Sequence, residues 1–241
     1  MNKEALIYYS YIYRGDYHKI VKAIANAEPY HKIDIKNCFT IYDDVYPKEF
    51  LELKKPPFVI YYYGNLSLLK KDKVSIVGSR KVSKNGCFTT KKITDYLKQK
   101  YVIVSGMAKG VDSIAHVSAI DSGSIAVIGS GIDYIYPKEN KALYYSLIKN
   151  GLVLSEYPKD VLPYAYHFPF RNRLIVALGK KLVITHSRMN SGTFTSVNEA
   201  LELGRDIYVA PYHFLDDDSD GSNVLIEEGA NIITINNLGE I

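Results

Sequence analysis

The stretch from residue 74 to residue 116 constrains the fold more than any other, because it holds two consecutive units of β-rich run, small-residue loop and helix-compatible run. The first unit is residues 74–77, then Gly78-Ser79-Arg80 onward to Gly86, then a helix-compatible run over 87–100. The second is residues 101–104, then Ser105-Gly106-Met107-Ala108-Lys109-Gly110, then a run over 111–120. A buried strand that ends in a glycine loop at a helix start aims backbone N–H groups and the positive end of a helix dipole at one spot. Two such units in succession require a right-handed crossover, which puts both loops at the same edge of a parallel sheet.

Charge is concentrated in the same place. Residues 70–109 carry eleven Lys or Arg against Asp72 and Asp95 alone, while the whole 241-residue chain carries only +4. Cations gathered on anion-type loops favour a polyanion or a nucleotide over a neutral substrate. Lys91, Lys92, Lys98 and Lys100 also fit the wet face of a helix. Arg80 and Lys109 lie inside the loops and do not fit that explanation.

The rest of the chain extends the alternation. Strands are expected at 58–63, 124–128, 152–154, 181–184, 206–209 and 231–235, with helices over 138–149, 172–178, 193–203 and 222–227. This predicts an α/β, doubly wound, mostly parallel sheet over 56–241. Residues 1–55 read as a small helical N-terminal region, interrupted at Arg14-Gly15-Asp16. No run of about 18 uncharged apolar residues occurs, so the expectation is a soluble, cytoplasmic protein with no membrane contact. Cys38 and Cys87 have no partner at ligand spacing, which argues against a zinc site or a disulfide framework. The carboxylate run Asp216-Asp217-Asp218 reads as a solvated loop, and no metal site is expected.

Nucleotide motifs fail at definite positions. Gly129-Ser130-Gly131-Ile132-Asp133-Tyr134 begins like a dinucleotide fingerprint, but Tyr134 stands where the third glycine allows close helix packing. No triphosphate-binding G-x-x-x-x-G-K-[ST] loop is present, so no cofactor is expected. Asp112 and His116 are four apart at a helix start, which suits an acid–base pair, a pair of metal ligands, or a helix-capping carboxylate beside a packed histidine. Arg171-Asn172-Arg173 follows Phe168-Pro169 and suits either a phosphate clamp or pairing with a carboxylate such as Glu156. The two arginines, two apart on a helix start, point about 200° from each other. We therefore assign Arg171 to the anion pocket and Arg173 to a structural pair with Glu156.

The series Tyr63-Gly64-Asn65, Val77-Gly78-Ser79-Arg80, Ser105-Gly106-Met107-Ala108-Lys109-Gly110-Val111-Asp112, Tyr136-Pro137, Phe168-Pro169-Phe170-Arg171-Asn172-Arg173 and Ser191-Gly192-Thr193 resembles the DNA-processing protein A (DprA/Smf) family. The resemblance implies an extended Rossmann domain that binds single-stranded DNA, forms a homodimer and loads the RecA recombinase during natural transformation. It also implies that Arg80 and Lys138 belong to the basic DNA pocket, with Gly78, Ser79, Ser105 and Gly106 shaping it. Lys109 stands where the family usually has Arg, which keeps the charge and loses the planar fork. The expected protein is non-enzymatic. The alternative is an N-glycosidase or nucleotide sensor of the lysine-decarboxylase-like Rossmann group, yet its catalytic Glu would fall on Ser196.

Overall fold

The computed structural model describes residues 2–213 and 219–241, so the run Asp216-Asp217-Asp218 lies outside the described residues. The chain opens with two helices, α1 (Lys3–Ile12) and α2 (Tyr17–Ala25), joined where Arg14 and Gly15 take positive φ. Asp16 then caps α2 by accepting from the Lys19 N–H at 3.1 Å, so the Arg14-Gly15-Asp16 break is a turn plus a helix cap.

Nine strands form one sheet among the described residues. They are β1 (Cys38–Thr40), β2 (Val59–Gly64), β3 (Lys73–Val77), β4 (Val102–Ser105), β5 (Ser124–Ile128), β6 (Leu152–Ser155), β7 (Lys181–Ile184), β8 (Asp206–Val209) and β9 (Asn231–Ile232). Their order is β1-β2-β6-β5-β4-β3-β7-β8-β9. The seven strands from β6 to β9 in that order run parallel, and β1 and β2 add an antiparallel edge. The mostly parallel, doubly wound α/β fold is therefore as expected. The boundary at residue 55 is not, because β1 lies within the first 55 residues and pairs with β2, Phe39 opposite Ile60. Three residues are too few to show a period of two, which is why the sequence does not reveal this strand.

The connecting helices are α3 (Lys84–Leu97), α4 (Val111–Ala119), α5 (Lys141–Asn150), α6 (His167–Leu178), α7 (Thr193–Glu202) and α8 (Asp220–Glu227). Alternate residues of each central strand face opposite layers. Val74 and Ile76 pack with Ile93 and Leu97 of α3 and Val111 and Ala115 of α4, while Val77 packs toward Leu174 and Val176 of α6 and Val197 of α7. Burial on both sides explains why these strands read as unbroken apolar runs.

The strand order reverses at β3, whose neighbours are β4 on one side and β7 on the other. In an open parallel sheet, a crevice forms where successive connections leave toward opposite faces, outside the carboxyl ends of the strands. The loops after β3, β4 and β7 all open there.

Candidate nucleic-acid interface

A cleft of about 620 Å³ lies at this reversal. Val77, Gly78, Ser79, Arg80 and Lys81 line it from the β3 loop, Arg188, Ser191 and Gly192 from the β7 loop, and Phe168, Pro169, Arg171 and Asn172 from the start of α6. An adjoining recess of about 80 Å³ adds Gly106, Lys109, Tyr136 and Pro137. Among the described residues, four cationic side chains, Arg80, Lys81, Arg171 and Arg188, line the larger cleft with one carboxylate, Asp112.

Arg80 is exposed and its guanidinium carbon sits 5.5 Å from the centre of the Phe168 ring. That contact holds a planar cation at the lip. Phe168 in turn packs against Tyr136, with ring centres 5.4 Å apart, so the lip carries an aromatic surface beside the charge.

The two glycine loops touch each other. Gly110, at φ +79°, is so close to the β3 loop that a Cβ would sit 2.3 Å from the Ser79 carbonyl oxygen. The Val111 N–H donates to that same oxygen at 3.1 Å, and the Ser79 N–H donates to the His186 carbonyl at 2.8 Å. These two N–H groups are therefore used inside the protein and are not offered to an anion. Ser105 is fully buried, and its hydroxyl donates to the Ile76 carbonyl at 2.6 Å, tying β4 to β3. It supports the site from below without reaching a ligand.

Gly106 has a tighter role. A Cβ there would meet Arg171 Nη1 at 2.6 Å and Asp112 Oδ2 at 2.7 Å. The missing side chain is what lets the Arg171 guanidinium reach the end of β4. Arg171 Nη1 donates to the Gly106 carbonyl at 2.6 Å and also to the Val127 carbonyl, joining the ends of β4 and β5. Its Nε donates to Asn172 Oδ1 at 3.2 Å. Burial lowers the Arg171 pKa to about 10, with Asp112 opposing that shift, so it stays positive at neutral pH. Arg171 thus lines the floor of the cleft as a buried cross-link between β4 and β5.

Asp112 is 6% exposed and accepts from the Ala108 N–H at 3.2 Å. Burial pushes its carboxyl up and the nearby Arg171 pulls it back. His116 turns away from it into the core, where Nδ1 lies 2.7 Å from Ser124 Oγ. The two do not form an acid–base pair.

Arg173 leaves α6 in another direction. Its Nη1 and Nη2 meet Glu156 Oε2 and Oε1 at 2.6 and 2.7 Å, a bidentate pair with both side chains buried. The Phe170 ring lies under the guanidinium at 3.8 Å, and Nε donates to the Lys55 carbonyl at 3.2 Å. The helix bearing both arginines starts at His167, five residues before the expected 172. Pro169 is tolerated because it falls in the first turn, where its missing N–H has no helical acceptor.

Two expected cations are placed less directly. Lys109 lines the recess but pairs with Glu139 Oε1 at 2.5 Å across the surface. Lys138 is exposed on the short turn after Pro137, beside the recess and not among its lining residues. The concentration of charge over residues 70–109 is likewise spread out: Lys73 is buried against Glu49 at 2.9 Å, and Lys98 is paired with Asp95. The sequence reading missed Lys81 and Arg188 as cleft residues. A basic residue in the loop just after a buried strand was the available signal for both.

The family model for DNA recombination-mediator protein A matches residues 37–240. The DNA processing protein DprA of Streptococcus pneumoniae is 44% identical over 198 residues, covering 81% of this chain and 70% of that protein. DprA of Bacillus subtilis is 34% identical over 201 residues, covering 82% and 68%. The X-ray structure of the S. pneumoniae protein superposes with a TM-score of 0.79 at 39% identity, over 90% of this chain and 77% of that one. The structure of DNA processing protein A from Helicobacter pylori, described for its single-stranded DNA binding mode, gives a TM-score of 0.78 at 35% identity, over 84% and 94%. With a family-model match over most of its length and a fold in common with solved members, this chain belongs to the DNA recombination-mediator protein A family.

Proposed function

We propose that the chain binds single-stranded DNA with little sequence preference and acts as a recombination mediator, protecting incoming DNA and delivering it to the RecA recombinase during natural transformation. The observation that carries the reading is the cleft at the strand-order reversal, where Arg80 and Lys81 stand at the lip beside the Phe168 and Tyr136 rings. Cations beside aromatic faces suit phosphates joined to unpaired bases. The relatives named above point to the same class of ligand. We place the protein in the cytoplasm, as a homodimer, where RecA and imported strands meet; no helix among the described residues is long and apolar enough to cross a membrane.

The role is non-enzymatic in this reading. Ser196, and not a carboxylate, lines the cleft wall at the position matching the acid of nucleotide N-glycosidases, and the one cleft carboxylate among the described residues, Asp112, is held by the Ala108 N–H beside Arg171. The test is a titration of single- and double-stranded DNA over a salt series. Single strands should bind more tightly, and Arg80→Ala should reduce the log–log salt slope by about 0.7 with an unchanged thermal melt. Equal affinity for the two DNA forms, or an Arg80→Ala variant that binds like the parent, would refute the assignment.

A further inference from the structure

The cleft's basic lip continues along a helix. Arg80 and Lys81 line the cleft, and three residues later Ser83 caps α3 by accepting from the Gly86 N–H at 3.1 Å. From that start Lys84, Phe88, Lys91 and Lys92 recur at spacings of three and four, so they share one face. All four are exposed, and the opposite face buries Thr90, Ile93, Thr94 and Leu97. From Lys84 to Lys92 the strip runs about 12 Å along the helix, leading away from the lip.

Two features set this strip apart from an ordinary solvated helix face. Such faces interleave charges of both signs in i,i+4 pairs. Here the only carboxylate of the helix is Asp95, which is paired with Lys98 at 2.9 Å, and Lys84, Lys91 and Lys92 have no ion pair among the described residues. The second feature is Phe88, which stands 61% exposed at the centre of the lysines with Lys92 Nζ 5.4 Å from its ring centre. An apolar ring of this size left in water stabilises nothing in the fold, whereas a ring among unpaired cations is the arrangement that takes a stacked base between phosphates.

We propose that this face of α3 is a second segment of the single-stranded DNA path, with phosphates on Lys84, Lys91 and Lys92 and one base on Phe88. The proposal rests on the single-strand reading of the cleft. Continuity with the lip supplies the strand, and the unopposed positive charge supplies the complement. A duplex does not fit the strip, because its bases are paired and stacked on each other and present no free face to Phe88.

Oligonucleotide length separates the two segments. An oligomer of about four nucleotides fills the cleft alone, and one of about sixteen also reaches α3. Phe88→Ala should weaken the long oligomer about tenfold, and Phe88→Tyr should restore it. Replacing Lys84, Lys91 and Lys92 together by Ala should lower the long oligomer's salt slope by about 2. Neither variant should change binding of the short oligomer or the thermal melt, since every altered side chain is exposed. Arg80→Ala should weaken both lengths. Unchanged long-oligomer binding in both α3 variants, or equal losses at the two lengths, overturns the α3 path and leaves the cleft standing; a parent that binds neither length removes the cleft reading as well.

Discussion

Arg173→Met should be among the most damaging single substitutions in the chain while leaving DNA affinity intact. The guanidinium is held by both Glu156 oxygens at 2.6 and 2.7 Å, by the Lys55 and Phe170 carbonyls at 3.2 and 3.0 Å, and by the Phe170 ring. Methionine replaces the length of the aliphatic stem and removes the charge. Glu156 is only 6% exposed, so its carboxylate would be left buried without a cation, at a cost of roughly 3–5 kcal/mol. For a domain of this size that is a fall of about 10 °C in Tm. The reasoning assigns most of the cost to the orphaned carboxylate and less to lost packing. Adding Glu156→Leu to the same chain should therefore recover more than half of the loss, because two apolar side chains of similar volume can replace a buried pair at little net cost. The assay is a thermal or urea melt of the two single variants and the double variant, with a single-strand titration of each. A double variant no more stable than Arg173→Met alone would refute the argument, and so would a loss of DNA affinity in a variant that is still folded at the assay temperature, since Arg173 does not line the cleft.

Arg171→Ala should lower stability by about 3 kcal/mol as well as weakening DNA binding, because it orphans the Gly106 and Val127 carbonyls beneath the cleft and takes the cation from beside Asp112; a melt identical to the parent's would contradict the cross-link. His116 carries an acid sensitivity: burial, followed by the charge of Arg171, lowers its pKa from 6.5 to about 3. A depressed histidine pKa means that the unfolded chain binds the extra proton first, so stability is lost as the pH falls from about 6.5, by about 3 kcal/mol at pH 4. The imidazole Nε2 has no hydrogen-bond partner, and the hydroxyl of Ser124 already donates to the Ile103 carbonyl, so Nδ1 carries the proton and a second one has no acceptor. His116→Gln should flatten the urea-melt dependence between pH 7 and pH 4; an unchanged slope would locate the acid sensitivity elsewhere.

Elements buried on both faces were legible in the sequence because nothing competes with the apolar run that specifies them. Strands β5 and β7 fall on the expected residues, and the β3 and β4 loops reach the expected sheet edge. What the sequence hides is partnership across long separations. Lys73 counts as one more surface cation in any charge tally, yet it is buried against Glu49 and donates to the Leu69 carbonyl at 2.8 Å. Helical spacing correctly separates the directions of Arg171 and Arg173. It does not reveal that the carbonyls at the ends of β4 and β5 converge under Arg171, because that convergence is made by the sheet and not by the helix.

The difference between an anion cradle and a cationic lip bears on what the cleft can hold. A cradle of backbone N–H groups fixes one phosphate in one geometry, and the glycine loops alone suggest such a cradle. In the folded chain the Ser79 and Val111 N–H groups are donated to His186 and Ser79, and Asp112 occupies the Ala108 N–H. With those three N–H groups engaged, the lip also carries two long side chains, Arg80 and Lys81, whose donors can follow a phosphate over several ångströms. Side chains of that kind give up positional precision and gain tolerance of a moving backbone. A mononucleotide gains little from such a lip, since it offers one phosphate and loses its translational freedom on binding. A polymer offers the next phosphate whenever one is released, so the same residues that hold a single nucleotide poorly suit a long strand.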